Sequence, residues 1–187
     1  MIQVLLITVA ALSSNNSHPN LVVNGNFEKG NTGFTSDYGY SDNVEGTGLY
    51  AIVSDPHNAH PGGFSMMDHT SGTGQMMVVN AGDDASKAFW KQTVKVQPKH
   101  TYYFGLYAAS WGWTSDVGDE HPASIVVTIN GEAVRVPFTL KSKDGVWTKL
   151  VATWKSESAT HAEIRLVDKN TEAFGNDFAI DDIVFHD

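Results

Sequence analysis

Short runs of alternating apolar and polar residues recur from residue 21 onwards, each closed by Gly, Asn, Asp or Pro. No run keeps the 3.6-residue period of an amphipathic helix, whereas a two-residue period is typical of a strand with one buried face. The pattern predicts about ten strands, at 21–24, 48–54, 75–80, 88–96, 101–109, 123–129, 132–140, 146–155, 160–167 and 177–185. This number suits an all-β fold in which two antiparallel sheets pack into a sandwich.

One hairpin is marked by its turn. Asn130-Gly131 separates the predicted strands 123–129 and 132–140, and this dipeptide is a strong signal for a two-residue turn. Pro137 lies inside the second of these strands and cannot donate a backbone hydrogen bond. We therefore expect 132–140 to lie at a sheet edge or to contain a bulge.

The chain divides into three segments. Residues 1–14 are mostly apolar and end in small residues, which is typical of a signal peptide, although no Lys or Arg precedes the apolar run. The alternative is a strand that is donated to a neighbouring subunit, which would give a homo-oligomer. Residues 15–20 form a polar spacer, and 21–187 form the β-sandwich domain. The apolar run is too short for stable insertion into a membrane.

The composition of the chain limits which partners it can bind and which reactions it can catalyse. The 187 residues carry 12 basic and 21 acidic side chains, a net charge of −9, so a nucleic-acid backbone would be repelled. The absence of cysteine excludes disulfides and thiolate chemistry. The chain also lacks a Gly-x-Ser-x-Gly elbow, a His-Glu-x-x-His motif and a phosphate-binding loop. These absences favour a binding module over an enzyme.

The last predicted strand contains two adjacent carboxylates between apolar residues on both faces. On an ideal strand, Asp182 shares a face with Phe178, Ile180 and Val184, and Asp181 shares the other with Ala179, Ile183 and Phe185. Buried carboxylates are costly unless they are paired or bind a cation. A hard cation with oxygen ligands would stabilise them. The alternative is that one Asp caps a loop through backbone N–H groups and the other faces water.

Two motifs carry a resemblance to a known family. The chain pairs Asn24-Gly25-Asn26-Phe27-Glu28, followed by Gly33-Phe34, with Phe-Ala-Ile-Asp-Asp-Ile-Val-Phe at 178–185. This pairing resembles the galactose-binding-like jelly-roll sandwiches, which include calcium-containing carbohydrate-binding modules of glycoside hydrolases. The segment 68–80 also resembles a recurrent stretch of bacterial surface proteins. The resemblance implies a jelly-roll fold and a structural calcium that joins the first and last strands.

The same resemblance implies a set of calcium ligands. Glu28, the carbonyl groups around Asn26, and Asp181 match the family's pattern, with Asp182 as the alternative if the register differs. A loop before an inner strand supplies further ligands in that family, and Asp68 and Thr70 match it here. The family usually has Trp where this chain has Phe34.

Aromatic residues in loops are the candidates for ligand contact. Trp111-Gly112-Trp113 follows a predicted strand, and flat aromatic rings at a rim stack on the apolar faces of sugars. Asp116 lies in the same loop and would bind hydroxyl groups. Tyr38 and Tyr40 lie in a second polar loop. The alternative for both tryptophans is burial in the core or anchoring of the loop.

The sequence therefore predicts a secreted or cell-surface module that binds a polysaccharide or another glycan without catalysis, with calcium as a structural cofactor. The alternative is a subunit of a fibre, sheath or virion that uses the N-terminal strand for contact between subunits.

Overall fold

The computed structural model describes residues 18–112, 121–141, 144–173 and 175–187. The predicted signal peptide or donated strand at 1–14 lies outside these residues. The described part of the chain forms a 3₁₀ turn at Pro56–Asn58 and the following strands: β1 (Gly39–Tyr40), β2 (Leu49–Val53), β3 (Met76–Asn80), β4 (Ala88–Lys95), β5 (Thr101–Ser110), β6 (Ser124–Ile129), β7 (Glu132–Ala133), β8 (Phe138–Thr139), β9 (Thr148–Lys155), β10 (His161–Asp168) and β11 (Phe178–His186). The predicted all-β sandwich is confirmed.

The strands form two sheets that face each other. One sheet has the order β1-β2-β3-β11-β5-β9, and the other has the order β4-β10-β6-β7, with β8 also paired to β6. All pairs are antiparallel except β1 with β2. Alternate residues of both sheets point inward and form one apolar core. Its fully buried members include Phe27, Trp90, Phe104, Leu106, Ile125, Ile164, Phe178 and Phe185.

The predicted hairpin is confirmed at Asn130-Gly131. Ile129 pairs with Glu132, so the loop has two residues, and both have positive φ angles of 53° and 83°. Positive φ at both positions is the requirement of a type I′ turn, which Asn and Gly satisfy at low cost.

The predicted strand 132–140 is wrong as a continuous element. It is split into β7 and β8, which pair with opposite ends of β6. Between them the chain bends, and Val136 is 75% exposed. Pro137 lies at this break, where it leaves no gap in the hydrogen-bond ladder.

The predicted strand 21–24 is also wrong. This segment forms turns, because Asn24 and the following Phe27 each have a φ angle of 56°, far from the extended region of a regular strand. It still lies against β11, where the Leu21 N–H donates to the Phe185 carbonyl at 2.8 Å. The start of the domain thus contacts the last strand without extending the sheet.

A bulge in β11 changes which side chains are buried. The pairing with β5 shifts by one residue between Asp181 and Val184, and Asp182 has a φ angle of 51°. Ile183 and Phe185 therefore join the core, whereas an ideal strand would place them on the opposite face from Phe178. Val184 points outward instead. No helix in the described part of the chain is both long and apolar enough to cross a membrane.

Candidate functional site

The outer face of the six-stranded sheet is half covered. The loop at 55–74 packs over β2, β3 and the ends of β5 and β11 and buries a second apolar cluster. Trp111 is at the centre of this cluster, fully buried, and its Nε1 donates to the Phe178 carbonyl at 2.7 Å. The other half of the face, over β5, β9 and β11, is not covered by this cluster.

The uncovered half is built from rows of residues that cross three strands. The strand pairing aligns His186, Tyr103 and Thr153 in one row, and Val184, Gly105 and Val151 in the next. A third row contains Asp181, Tyr107 and Lys149. The middle row is low because Gly105 has no side chain, so a groove runs across the strands between the row of Tyr103 and the row of Lys149.

The groove has a volume of about 640 Å³ and a mixed lining. Tyr103 and Val151 are each 53% exposed, so an aromatic ring and an aliphatic side chain face the groove. The Gly105 position is tight, because an added Cβ would lie 3.2 Å from a methyl group of Val184. An apolar floor with a few polar groups at its rim is the common composition of small-molecule sites.

An aromatic stack lies beside the groove. The His69 ring stacks on Tyr107, with 3.5 Å between centroids and an interplanar angle of 18°. Trp147 meets His69 edge-on at 5.8 Å, and its Nε1 donates to the Met67 carbonyl at 3.1 Å. Lys149 Nζ lies 5.6 Å from the centre of the Tyr107 ring. These contacts fix the loop against the sheet beside the groove.

An arginine reaches the groove from the opposite sheet. Arg135 lies between β7 and β8, and its Nη1 donates to the Val151 carbonyl of the edge strand β9 at 2.8 Å. Its guanidinium also lies 5.6 Å from the centre of the Phe138 ring. The break in the predicted strand 132–140 thus places a cation at one end of the groove.

The predicted metal ligands surround the loop at 68–75. Asp181 Oδ2 accepts hydrogen bonds from the His69 N–H at 2.9 Å, the Thr70 N–H at 3.0 Å and the Thr70 hydroxyl at 3.1 Å. Asp182 Oδ1 accepts from the same hydroxyl at 2.7 Å, and its Oδ2 lies 2.6 Å from His69 Nδ1. The loop is therefore fastened to the β11 bulge through both carboxylates.

Two more predicted ligands hold the other end of this loop. Asp68 accepts from the N–H groups of Ser71 and Gly74, both at 2.7 Å, and Glu28 accepts from the Gln75 N–H at 2.9 Å. A side chain on Gly74 would collide with the Glu28 carboxylate, so glycine permits this close approach. Asn26 is half-buried in the turn before Glu28.

This arrangement does not fit a preformed calcium cage. The carboxylates of Glu28, Asp68 and Asp181 face N–H donors, whereas a cation requires several oxygens that converge on one point. Among residues 18–112, 121–141, 144–173 and 175–187, no group of three or more His, Asp or Glu side chains could hold a metal ion. Calcium stays a prediction from the resemblance.

Two buried carboxyls have raised pKa values. Burial raises the pKa of Asp181 to about 6, although the N–H bonds from Thr70 and Asp182 oppose the change. Burial also raises the pKa of Asp177 to about 7, and the nearby Asp144 and Asp168 carboxylates add to the effect. Asp181 lies beside the groove, whereas Asp177 lies where β11 begins and accepts from the Ala81 N–H at 3.2 Å.

The predicted ligand-contact residues do not form one surface. Trp111 is wrong as a sugar platform, because it is the buried anchor of the loop, the alternative that its position allowed. Tyr38 is also buried, and its hydroxyl accepts from the Gly82 N–H at 3.3 Å. Tyr40 is exposed, but it lies on β1 at the opposite edge of the sheet from the groove. Trp113 and Asp116 lie outside the described residues.

The sequence did contain one signal for the groove. Tyr103, Gly105 and Tyr107 occupy alternate positions of one predicted strand, so they share a face. A glycine inside a strand often marks a place where another molecule approaches the backbone. The contributions of β9, β11 and Arg135 have no such local signal, because only the folded sheet brings them together.

Solved structures share the fold at low sequence identity. The CBM22-1 xylan-binding domain of Xyn10C from Paenibacillus barcinonensis is 15% identical, with a TM-score of 0.55 over 87% of this chain and 90% of that one. TmCBM61, solved with β-1,4-galactotriose, is 17% identical, with a TM-score of 0.53 over 89% of this chain and 97% of that one. The enzymatically active domain of tailspike protein 4 from bacteriophage CBA120 is 15% identical, with a TM-score of 0.55 over 89% of this chain and 21% of that one.

No family model and no curated protein matches the sequence. The similarity to known proteins therefore rests on the arrangement of strands. For the two modules it extends over 87% and 89% of this chain. The chain has a jelly-roll β-sandwich fold like that of these two modules.

Proposed function

We propose that this chain is a non-catalytic carbohydrate-binding module whose ligand lies in the groove over β5, β9 and β11. The observation that carries the proposal is the exposed ring of Tyr103 beside the low floor at Gly105. A sugar ring has an apolar face that stacks on an aromatic side chain, and its hydroxyl groups bind polar side chains at the edge.

The shape of the groove supports an extended ligand. It crosses three strands at right angles to their direction and holds about 640 Å³, within the usual range for ligand sites. Tyr103 lines one side and Lys149 the other. The rows of Tyr103 and of Lys149 are four residues apart along β5 and β9, which is about 13 Å in a strand. One sugar unit would therefore contact one wall, and a longer chain would follow the floor.

The lining favours binding over hydrolysis. Glycoside hydrolysis requires two carboxyl groups that flank the bond to be cleaved. The described residues that line the groove include no Asp or Glu. Two carboxylates beside the groove, Asp181 and Asp182, are engaged by His69 and Thr70.

The xylan-binding domain and the galactotriose complex among the solved structures support the class of ligand that we propose. We further propose that the protein acts outside the cell or on its surface. Polysaccharides are found there, and the apolar residues at 1–14 are typical of an export signal.

A screen of immobilised polysaccharides with the full chain tests the proposal, followed by affinity measurements on Tyr103→Ala. We expect binding to at least one glycan, and we expect Tyr103→Ala to weaken it about fivefold or more, since aromatic contacts contribute about 1 kcal/mol or more. Tyr40→Ala is the matched control, because Tyr40 is also about half exposed but lies at the far edge of the sheet.

Absence of binding to every glycan would contradict the proposal. Unchanged affinity in Tyr103→Ala together with a loss in Tyr40→Ala would move the site to the polar loop that contains Tyr40.

A structural or assembly subunit is the second candidate. It is favoured by the similarity of fold to a segment of the phage tailspike. Mass spectrometry and sedimentation of the native protein separate the two candidates. An intact Met1 in an assembled polymer supports the subunit, and a monomer that begins near Ser14 supports the secreted module.

A further inference from the structure

The charge of the groove is opposite to that of the chain. The sequence has 21 acidic and 12 basic side chains. Yet the described residues that line the groove include Arg135, Lys149 and His186 and no Asp or Glu. A cleft lined by one sign of charge concentrates ligands of the opposite sign. This local reversal within an acidic protein points to an anionic ligand.

The two permanent cations of the groove have no carboxylate partner among the described residues. Lys149 lies over the Tyr107 ring, and Arg135 donates one N–H to the Val151 carbonyl. In contrast, Lys91 and Arg165 on the opposite sheet both pair with Asp37. The guanidinium of Arg135 has five N–H donors, so most of them remain for a ligand.

Neighbouring carboxylates do not neutralise these cations. Asp181 is fully buried and accepts bonds from the loop, and Asp182 is paired with His69. Asp187 follows His186 at the other end of the groove, but its carboxylate lies 3.4 Å from His18 and 3.3 Å from His100. The positive charge of Arg135 and Lys149 therefore stays available at the rim.

We propose that the ligand of this groove is an anionic glycan, which carries carboxylate or sulfate groups. The inference rests on the proposed function and specifies its class of substrate. The sugar rings lie along the floor against Tyr103, and the acidic groups contact Arg135 and Lys149 on β9 and beside it. Arg binds such oxyanions through paired N–H groups, and Lys binds them as a point charge.

Affinity measurements with three classes of polysaccharide of similar length test the inference. The classes are a polyuronate, a sulfated glycan and a neutral xylan or galactan, each measured at low and at physiological salt. We expect at least one anionic class to bind about tenfold or more tightly than the neutral one, with affinity that falls as salt rises. The polyuronate and the sulfated glycan distinguish carboxylate from sulfate recognition.

Variants of the groove show whether the cations at its rim cause the preference for anionic glycans. Lys149→Gln and Arg135→Gln should each weaken binding of the anionic glycan about fivefold or more, and should weaken it by a larger factor than they weaken binding of the neutral glycan. Lys95→Gln, an exposed cation on β4 of the other sheet, is the control. Val151→Glu and Val151→Gln form a second matched pair, because they differ only in charge at an exposed position of the groove. Only Val151→Glu should abolish the preference for the anionic class.

Equal affinity for neutral and anionic glycans, or equal losses in Lys95→Gln and Lys149→Gln, would overturn the inference and leave the proposed function intact. Absence of binding to any glycan would overturn both. Single-stranded DNA serves as a non-glycan polyanion, and binding as tight as that of the anionic glycan would overturn the choice of a glycan as ligand.

Discussion

The buried carboxyl of Asp177 should make the stability of this protein depend on pH. Its pKa is raised from 3.8 to about 7, first by burial and then by the Asp144 and Asp168 carboxylates, while the Ala81 N–H opposes the change. Between these two values the folded chain keeps a proton on Asp177 that the unfolded chain releases. The free energy of unfolding therefore falls as pH rises through this window.

The size of the effect follows from the change in pKa. A rise from 3.8 to about 7 corresponds to about 4 kcal/mol of stability that is lost between pH 4 and pH 8. Asp177→Asn keeps the shape of the side chain and its acceptor for the Ala81 N–H, but it does not titrate. For a chain of this size the variant should melt roughly 10 °C above the unaltered protein at pH 8, a gain that disappears near pH 4.

Thermal unfolding followed by circular dichroism at four pH values between 4 and 8, at constant ionic strength, measures this difference. Comparison of the two proteins isolates Asp177, because Asp181 titrates in both. Asp84→Asn is the control, since Asp84 is exposed and hydrogen bonds from Ser86 lower its pKa. Parallel pH dependence in the Asp177→Asn variant and the unaltered protein would refute the reasoning.

Three further predictions concern the loop over the sheet. Trp111→Phe removes the hydrogen bond to the Phe178 carbonyl and should lower stability by about 2–4 kcal/mol in urea unfolding, and full stability would contradict its role as anchor. Gly74→Ala should lower the melting temperature by several degrees through collision with Glu28, whereas Gly82→Ala, where an added Cβ meets only ordinary van der Waals contacts, serves as the control. Because the carboxylates of the loop are held by N–H donors, we expect a chelator to leave the melting temperature unchanged. A fall that calcium restores and magnesium does not would instead support the calcium implied by the resemblance.

Most strands could be predicted from the sequence because their burial alternates. Ala162, Ile164 and Leu166 are fully buried, as their spacing indicates. The alternation of apolar and polar residues no longer predicts burial where the backbone leaves the extended region of φ and ψ. The left-handed angles of Asn24 and Asp182 turn two apparently regular segments into a turn and a bulge. Nothing in the local pattern of apolar residues encodes these angles.

The candidate site was predictable only in part. Asp181, Asp182, Asp68, Thr70 and Glu28 are brought around one loop, as their grouping predicts. Asp68, Glu28 and Asp181 accept from backbone N–H groups, which every sequence supplies and which composition therefore cannot reveal. The groove depends on residues of three strands and one crossing arginine, so its shape emerges from strand order and register.

The position of β11 has a consequence for how the chain is made. This strand lies between β3 and β5 in the interior of its sheet, although it is the last strand of the sequence. Asn20, near the start of the described chain, accepts from the Phe185 N–H and donates to the Ile183 carbonyl. The facing edges of β3 and β5 therefore gain their partner only once residues 178–186 have been synthesised.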